Sequence, residues 1–309
     1  MKIVFMGTPD YAVETLKALV EAKHDVAAVF CQPDKPVGRK QILTAPPVKE
    51  TALNYGIPVY QPATLRDEEA KAILREIAPD VIVVVAYGKI LKEEVLNIPR
   101  IACVNGHASL LPKYRGSAPI QWSIINGEKT TGITTMLMDK GIDTGDILEQ
   151  ITVDIGTEET AEELFRRLSV LSAKLMISTL EKLEKGEITP IKQNEEMASY
   201  APIIKKEMAK LDFSKTADEI HNAVRGYYSW PCAYFFLNGK RIKVISALVG
   251  DKTSAAAGTV VGNTNELVIA CGENTSIKIT VLQPEGSKQM TAKQYLNGNG
   301  IEIGMAVDE

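Results

Sequence analysis

The chain has 309 residues, of which 45% are hydrophobic and 24% are charged, with a formal net charge of -4. This length exceeds one ordinary domain and predicts two, and the composition is typical of a globular protein. The small negative charge argues against a globally basic nucleic-acid-binding protein, so any contact with nucleic acid must be local. The four cysteines form no C-x-x-C pair, which disfavours a zinc cluster or a disulfide framework.

No targeting or membrane segment is predicted. The longest apolar run, residues 81–87, is far shorter than the roughly 20 residues that cross a bilayer. The first residues are a short apolar run cut by Gly7 and do not resemble a signal peptide. We therefore expect a cytoplasmic protein that does not bind membranes.

The first part of the chain alternates buried strands with amphipathic helices. A strand, a helix that starts at Thr8-Pro9-Asp10 and a strand at residues 26–31 form a β-α-β unit. Further buried strands at residues 81–86 and 101–104 predict a doubly wound, Rossmann-like α/β domain. Its first turn carries a single glycine, Gly7, so the dinucleotide fingerprint G-x-G-x-x-G is absent and a nicotinamide or flavin enzyme is disfavoured.

A capping box at Thr160 predicts the start of a long helix, and Gly186 predicts its end. After this helix the helical periodicity of the sequence is lost. Short apolar runs separated by turns then predict a small all-β barrel or sandwich. We expect three segments: a domain at residues 1–189, a linker at 190–208 and a domain at 209–309. Residues 203–252 hold nine basic and five acidic side chains, which fits either a weak basic patch or an ordinary solvated surface.

Polar side chains follow the strand at residues 101–104. Asn105 and His107 come directly after it, at the sheet edge where open α/β proteins bind ligands. Asp143, in a glycine-rich loop at residues 139–146, can supply a carboxylate to the imidazole. Plainer interpretations remain open: Asn105 could close the strand as an Asx-turn, and the loop could be only a turn. A calcium loop fails, because glycine stands where the third-position ligand belongs.

These residue types suit the attack of an amine on an activated carbonyl. Such a reaction needs hydrogen-bond donors for the developing oxyanion, which Asn105 and His107 could supply while Asp143 orients the imidazole. Catalysis by a nucleophilic serine or cysteine has little support, because no G-x-S-x-G elbow is present and no cysteine neighbours a histidine in sequence.

Two stretches, residues 105–121 and 138–146, resemble the signatures of the formyltetrahydrofolate-dependent formyltransferases. Three further stretches narrow the resemblance to members that act on methionyl-tRNA: residues 5–12, 32–39 and 84–88. The resemblance extends over essentially the whole chain, although it is looser in the second domain.

The resemblance implies a formyl transfer from 10-formyltetrahydrofolate to methionyl-initiator-tRNA by a monomeric enzyme without a metal. Asn105, His107 and Asp143 would be the catalytic residues. The tetrahydrofolate site would comprise Tyr87, Ser109, Leu110, Leu111 and Pro112. Contacts with tRNA would come from Arg39, Lys40, Lys205 and Lys206. The second domain would be an OB-like barrel that lies along the tRNA.

The sequence differs from the family pattern at two places, and it leaves other functions open. Gly106 stands where the family commonly has a branched apolar residue, and only Lys40 follows Arg39 as a cation in its loop. Other possible functions are formylation of glycinamide ribonucleotide or of a sugar nucleotide, hydrolysis of the formyl carrier, and non-catalytic RNA binding. Trp230 could stack on RNA, but its neighbours Pro231 and Cys232 favour a position in the core.

Overall fold

The computed structural model describes residues 1–38 and 40–308. The chain forms two compact units, and each draws on more than one stretch of sequence. The first comprises Met1–Pro119, Thr131–Val153 and Phe165–Ala201, and the second comprises Ile120–Thr130, Asp154–Leu164 and Pro202–Glu309. The segment predicted to be a linker, residues 190–208, therefore divides between the two units after Ala201.

The elements up to residue 201 include the strands and helices predicted for this part of the chain, with further short elements between them. The strands are β1 (Lys2–Gly7), β2 (Asp25–Phe30), β3 (Lys35–Val37), β4 (Ile42–Thr44), β5 (Val59–Tyr60), β6 (Val81–Val85), β7 (Ala102–His107), β8 (Arg115–Gly116), β9 (Thr130–Leu137), β10 (Ile147–Asp154) and β11 (Tyr200–Ala201). The helices are α1 (Val13–Glu21), α2 (Pro47–Asn54), α3 (Glu68–Ile77), α4 (Glu93–Leu96), α5 (Pro119–Ile125) and α6 (Ala161–Lys185), with 3-10 turns at Asp10–Ala12 and Glu195–Met197.

The first unit is built on a seven-stranded sheet with the order β10-β9-β7-β6-β1-β2-β5. Strands β5, β2, β1, β6 and β7 are parallel, and β9 is antiparallel to β7. The chain builds outward from β1 to β5 and then crosses back to β6, so the direction of winding changes between β1 and β6. This arrangement confirms the predicted Rossmann-like fold. In sheets of this kind the ligand-binding crevice lies at the carboxyl ends of the central strands.

Thr8 has a different role from the one its sequence context predicts. We expected Thr8 to cap the N-terminus of a helix. The N-cap of the first 3-10 turn is Pro9 instead, and no side chain forms a capping hydrogen bond there. Thr8 Oγ1 instead donates to the carbonyl of Tyr87 at 3.0 Å and accepts the amide of Gln32 at 3.3 Å. The side-chain amide of Gln32 donates to the same carbonyl at 3.1 Å. These bonds join the ends of three neighbouring strands at the crevice.

The second unit contains a curled antiparallel half-barrel. Its strands are β12 (Tyr234–Leu237), β13 (Lys240–Val249), β14 (Val260–Asn263), β15 (Leu267–Cys271), β16 (Thr275–Pro284) and β17 (Met290–Thr291), its helices are α7 (Ala217–Gly226) and α8 (Ala292–Asn299), and its 3-10 turns are Lys206–Ala209 and Gly272–Asn274. The sheet runs β12-β13-β16-β15-β14, and irregular register between β13 and β16 is consistent with its curl. The predicted all-β domain is confirmed as a half-barrel, whereas the two helices were not expected.

Trp230 was expected in the core, and this expectation is wrong. Its side chain is 55% exposed, while the neighbouring Cys232 is buried. The segment after α7 turns sharply here, so that the small cysteine enters the core and the indole remains at the surface. Within the described part of the chain, no helix combines the length and apolarity of a membrane span.

The glycine of β9 allows a close backbone approach between β9 and β10. A Cβ atom on Gly132 would lie 2.1 Å from the carbonyl oxygen of Ile151 and 2.5 Å from Leu110 Cδ2. We predict that Gly132→Ala lowers the free energy of unfolding by about 1–3 kcal/mol, because backbone must move to admit the methyl group.

Gly298, in α8, is the matched control for urea unfolding. A Cβ there would meet nothing within 4 Å, so Gly298→Ala should leave stability unchanged or raise it by up to about 1 kcal/mol. Equal effects of the two substitutions would contradict the role given to Gly132.

Candidate functional site

Asn105 and His107 lie on β7 itself. The strand was expected to end at residue 104, but it continues to His107, and Asn105 and His107 pair with Met136 and Thr134 of β9. Asn105 therefore does not form the Asx-turn that its sequence context allowed. Because side chains two residues apart on a strand point to the same face, the carboxamide and the imidazole stand side by side.

The carboxylate of Asp143 connects three groups. Its Oδ1 accepts the side-chain amide of Asn105 at 3.3 Å, and its Oδ2 lies 3.6 Å from His107 Nδ1. The backbone amide of Gly116 donates to Oδ2 at 2.8 Å. Asp143 has a left-handed backbone with φ 54°, a conformation that aspartate adopts more readily than most residues. The structure thus brings together the three side chains that the sequence singles out as catalytic.

The second nitrogen of the imidazole is also held. His107 Nε2 lies 2.9 Å from the carbonyl oxygen of Tyr114, and the His107 side chain is only 7% exposed. A carbonyl oxygen can only accept, so Nε2 carries the proton of this bond and Nδ1 is the ring atom that faces Asp143. The backbone of Tyr114 is left-handed, with φ 60°, which is costly for a residue with a side chain.

A close approach explains why glycine follows Arg115. Gly116 has φ 116°, and a Cβ there would lie 2.8 Å from the carbonyl oxygen of Ala201. Gly116 pairs with Ala201 through the short strands β8 and β11. Only glycine lets the chain pass this point and still aim its amide at Asp143.

Buried hydrogen bonds fix the segment between His107 and Arg115. Thr134 Oγ1 donates to the carbonyl of Ser109 at 2.7 Å and accepts the amide of Leu111 at 3.1 Å. Ser109 is fully buried, and its hydroxyl donates to the carbonyl of Lys113 at 2.6 Å. Of the residues predicted to bind folate, Ser109 and Leu111 are buried, whereas Leu110 and Pro112 are half-buried.

Tyr87, also predicted to bind folate, follows the end of β6. Its side chain is 2% exposed, and within the described residues its hydroxyl has no hydrogen-bond partner. Burial raises the pKa of this hydroxyl. The flanking Ala86 and Gly88 both have left-handed backbones, with φ 47° and 78°. The chain therefore turns sharply at the crevice, and Ala86 is exposed there.

Gly106 does not alter the spacing between its neighbours. The register of β7 on β9 fixes Asn105 and His107, and Gly106 pairs with Thr135. A Cβ on Gly106 would lie 3.1 Å from Ser172 Oγ and 3.4 Å from Met176 Cε, both on α6. Side chains of α6 therefore occupy the space beside Gly106 that a branched side chain would need.

The residues predicted to contact tRNA lie at the surface where the structure describes them. Lys40, in the hairpin between β3 and β4, is exposed, as are Lys205 and Lys206 in the second unit. Arg39 lies outside the described residues. Within those residues, no group of three or more His, Cys, Asp and Glu side chains could hold a metal ion.

Sequence reasoning did not identify Tyr114, Arg115, Gly116 and Gln193 as parts of the site. The first three lie within the stretch 105–121 that carries the resemblance, and a glycine followed by small residues was an available signal. Gln193 had none, because it lies 50 residues beyond Asp143 and forms part of no periodic pattern.

Two family models match the chain. The model described as formyl transferase covers residues 1–180, and the model described as formyl transferase, C-terminal domain, covers residues 203–300. Curated relatives named methionyl-tRNA formyltransferase match over nearly their whole length. The protein of Clostridium novyi is 50% identical over 98% of both chains, and that of Thermodesulfovibrio yellowstonii is 48% identical over 98% of this chain and 97% of its own. The Bacillus subtilis protein is 45% identical over 98% of this chain and 96% of its own.

Solved structures share the fold at lower identity. A sugar 3N-formyl transferase, WlaRD, crystallised in the presence of dTDP and 5-N-formyl-THF, has a TM-score of 0.70 and 23% identity, covering 93% of this chain and 99% of that one. HypX from Aquifex aeolicus, in complex with tetrahydrofolic acid, has a TM-score of 0.64 and 17% identity, covering 96% of this chain and 47% of that one.

The hydroxyl of Thr134 provides a test of the site's support. Thr134→Val keeps the shape of the side chain but leaves the Leu111 amide and the Ser109 carbonyl without this partner. We predict a loss of about 1–3 kcal/mol in the free energy of unfolding for the unsatisfied buried groups.

The matched control is Thr280→Val, which removes a solvent-facing bond to the carbonyl of Ser246. It should change the free energy of unfolding by less than about 0.5 kcal/mol. A Thr134→Val protein as stable as this control would show that the segment 109–113 is held by other means.

Proposed function

The chain belongs to the formyl transferase family, and we propose that it transfers the formyl group of 10-formyltetrahydrofolate to the α-amino group of methionyl-initiator-tRNA. The observation that carries the mechanism is the convergence of Asn105, His107 and Asp143 at the end of β7. The choice of acceptor rests on the relatives named methionyl-tRNA formyltransferase, which match this chain through both domains at 45–50% identity.

Asn105 and His107 are proposed to stabilise the negative charge that develops on the carbonyl oxygen of the formyl group. The Asn105 amide nitrogen carries two hydrogens, and Asp143 accepts one of them. The other remains for the substrate, next to the imidazole on the same strand face. Donors held in place before the reaction stabilise an oxyanion without a cost of reorganisation. The strand register and the bond from Nε2 to Tyr114 supply this rigidity.

Asp143 is proposed to orient both donors. Its two oxygens face the carboxamide and the imidazole, while the Gly116 amide fixes the carboxylate. The imidazole, held by Tyr114 through Nε2 and lying beside this carboxylate through Nδ1, is proposed as the group that hands a proton to the leaving nitrogen. The donor 10-formyltetrahydrofolate supplies the activated formyl group. We propose that Tyr87 and the segment 109–112 flank its binding site.

A face of the second unit suits RNA. Tyr234 and Phe236 on β12 pack edge to face, with ring centroids 5.8 Å apart, and both are half-buried. The Arg241 guanidinium lies 5.9 Å from the Tyr234 centroid, and Lys210 Nζ lies 6.0 Å from that of Phe236. At a protein surface the cations of such a cluster can contact phosphates, and its aromatic rings can stack on bases. We propose that this face and Lys205 contact the tRNA. A monomeric state and a cytoplasmic location stay predictions.

Substitutions of the three central residues test the mechanism. We predict that Asp143→Asn and His107→Asn each lower kcat about 10²–10⁴-fold, because each removes a preorganised charge or donor. Tetrahydrofolate binding, measured by calorimetry, should change by less than about 3-fold, a small loss in free energy of binding.

His24→Asn is the control, since this residue belongs to the turn that connects α1 to β2 and not to the cluster around Asp143. It should retain the wild-type kcat. A wild-type kcat in either Asp143→Asn or His107→Asn would remove those residues from the mechanism.

The proposed tRNA contacts at Arg241 and Lys205 can be tested separately from the catalytic residues. Replacing Lys205 and Arg241 with alanine should raise KM for methionyl-tRNA and weaken the dependence of binding on salt. The log-log slope should fall by about one unit for each phosphate that the protein no longer neutralises. The value of kcat should be unaffected, because neither residue lies at the central cluster.

Lys288→Ala, on the turn after β16, is the control for removal of a surface charge. A salt dependence unchanged in the Lys205→Ala, Arg241→Ala protein would show that the tRNA binds elsewhere.

The acceptor is tested by offering labelled formyl donor with charged initiator tRNA, uncharged initiator tRNA, elongator methionyl-tRNA and an amino sugar nucleotide. We expect label on the charged initiator tRNA alone. Free formate would indicate hydrolysis of the carrier, and label on the sugar nucleotide would place the chain beside its structural neighbours in activity as well as in fold.

A further inference from the structure

We infer that Gln193, locked by Arg115, is a positioning residue that holds the Asp143 turn in its working conformation. The inference rests on the proposed function, because it assigns Gln193 a role through Asp143. Gln193 Nε2 donates to two carbonyls of this turn, those of Asp143 and Gly145, each at 2.8 Å. One side-chain amide thus grips the backbone on both sides of Thr144.

The Gln193 amide has a single possible orientation. Its oxygen accepts both Nε and Nη2 of Arg115, at 3.0 and 2.8 Å. The nitrogen faces two acceptors and the oxygen faces two donors, so the whole hydrogen-bonding capacity of the amide is used. Rotation by half a turn would break all four bonds.

Arg115 is an unusual anchor because its side chain is completely buried. Its guanidinium is neutralised by Glu195, which accepts Nη1 at 2.9 Å and Nη2 at 2.8 Å. This bidentate bond lowers the pKa of the Glu195 carboxyl. Planar, bidentate geometry of this kind fixes direction as well as charge. The guanidinium fork therefore holds Gln193 and Glu195 in one plane.

The two residues that flank Arg115 also bind the catalytic side chains proposed above. The backbone carbonyl of Tyr114, just before Arg115, accepts His107 Nε2, and the amide of Gly116, just after it, donates to the Asp143 carboxylate. Arg115 thus holds the Asp143 backbone through Gln193, while its neighbours hold the imidazole and the carboxylate. Together these bonds fix the relative positions of the reacting groups.

The Asp143 turn needs such support. Asp143 has φ 54°, and a Cβ on Gly145 would lie 1.8 Å from the carbonyl oxygen of Leu137. A turn with a left-handed residue and so close a backbone approach persists only where its surroundings hold it. If Gln193 could not donate, the two carbonyls would be left without these bonds and the turn would relax. Misplacement of a reacting group by about 1 Å can cost 10²-fold in rate.

Gln193→Glu tests the inference, since it keeps the size of the side chain but cannot donate to the two carbonyls. We expect kcat to fall at least about 10-fold, with KM for donor and for tRNA within about 3-fold of wild type. The matched control, Gln283→Glu, removes a solvent-exposed bond from a side-chain amide to the carbonyl of Ser287. It should keep the wild-type kcat.

A double-mutant cycle separates positioning from general damage. In an Asp143→Asn background, Gln193→Glu should lower kcat by less than about 3-fold, because the carboxylate that it positions is already gone. A further decrease as large as in the wild-type background would overturn the inference. So would a raised KM with unchanged kcat in the single variant.

A readout without turnover keeps the inference separate from the proposed function. The ring ¹⁵N signals of the three histidines can be assigned with the His107→Asn and His24→Asn proteins. Gln193→Glu should move the His107 signals and leave those of His24 and His221 in place. Unmoved His107 signals would contradict the inference, whereas an absence of formyl transfer by the wild-type protein would contradict only the proposed function.

Discussion

The contact between the Asp143 carboxylate and its three partners is the constraint on which the site depends. Asn105 and His107 stand side by side because they alternate along one strand, yet this pairing alone does not orient their polar atoms. Asp143 directs the carboxamide at 3.3 Å and faces the imidazole at 3.6 Å, while Gly116 holds the carboxylate at 2.8 Å. These groups come from separate segments of the first unit, so the site forms only when the whole unit is folded.

The sheet and the loops divide the work of building the site. Parallel strands bring the ends of β1, β6 and β7 to one edge, and bonds from Thr8 and Gln32 to the carbonyl of Tyr87 join neighbouring strand ends. The loops then carry the strain, with left-handed backbones at Ala86, Tyr114 and Asp143. Residues of costly conformation gather where ligands bind, and the rigid sheet behind them holds the loops in place.

Local patterns predicted the central strands and the doubly wound fold, and they placed Asn105 and His107 together at one edge of the sheet, because hydrophobic periodicity is encoded in neighbouring residues. The hydrogen bond from Gln193 to the Asp143 carbonyl could not be predicted, since it joins residues 50 apart in sequence. The side chain that orients Gln193 is a buried arginine, Arg115, which is distant from both in sequence. Helix α7 was missed although Thr216 and Glu219 form a capping box. Trp230 was misplaced because its neighbours Pro231 and Cys232 suggested burial, whereas only Cys232 enters the core and the indole is exposed.

In the proposed mechanism the formyl group is held by Asn105 and His107, and a crystal structure with bound 5-formyltetrahydrofolate measures this directly. We predict that the formyl oxygen lies within about 3.2 Å of Asn105 Nδ2, the range of a hydrogen bond, with the imidazole of His107 beside it. The Asp143 carboxylate should keep its bond to the Gly116 amide. A folate whose formyl group lies away from the end of β7, with these three side chains facing only solvent, would contradict the mechanism.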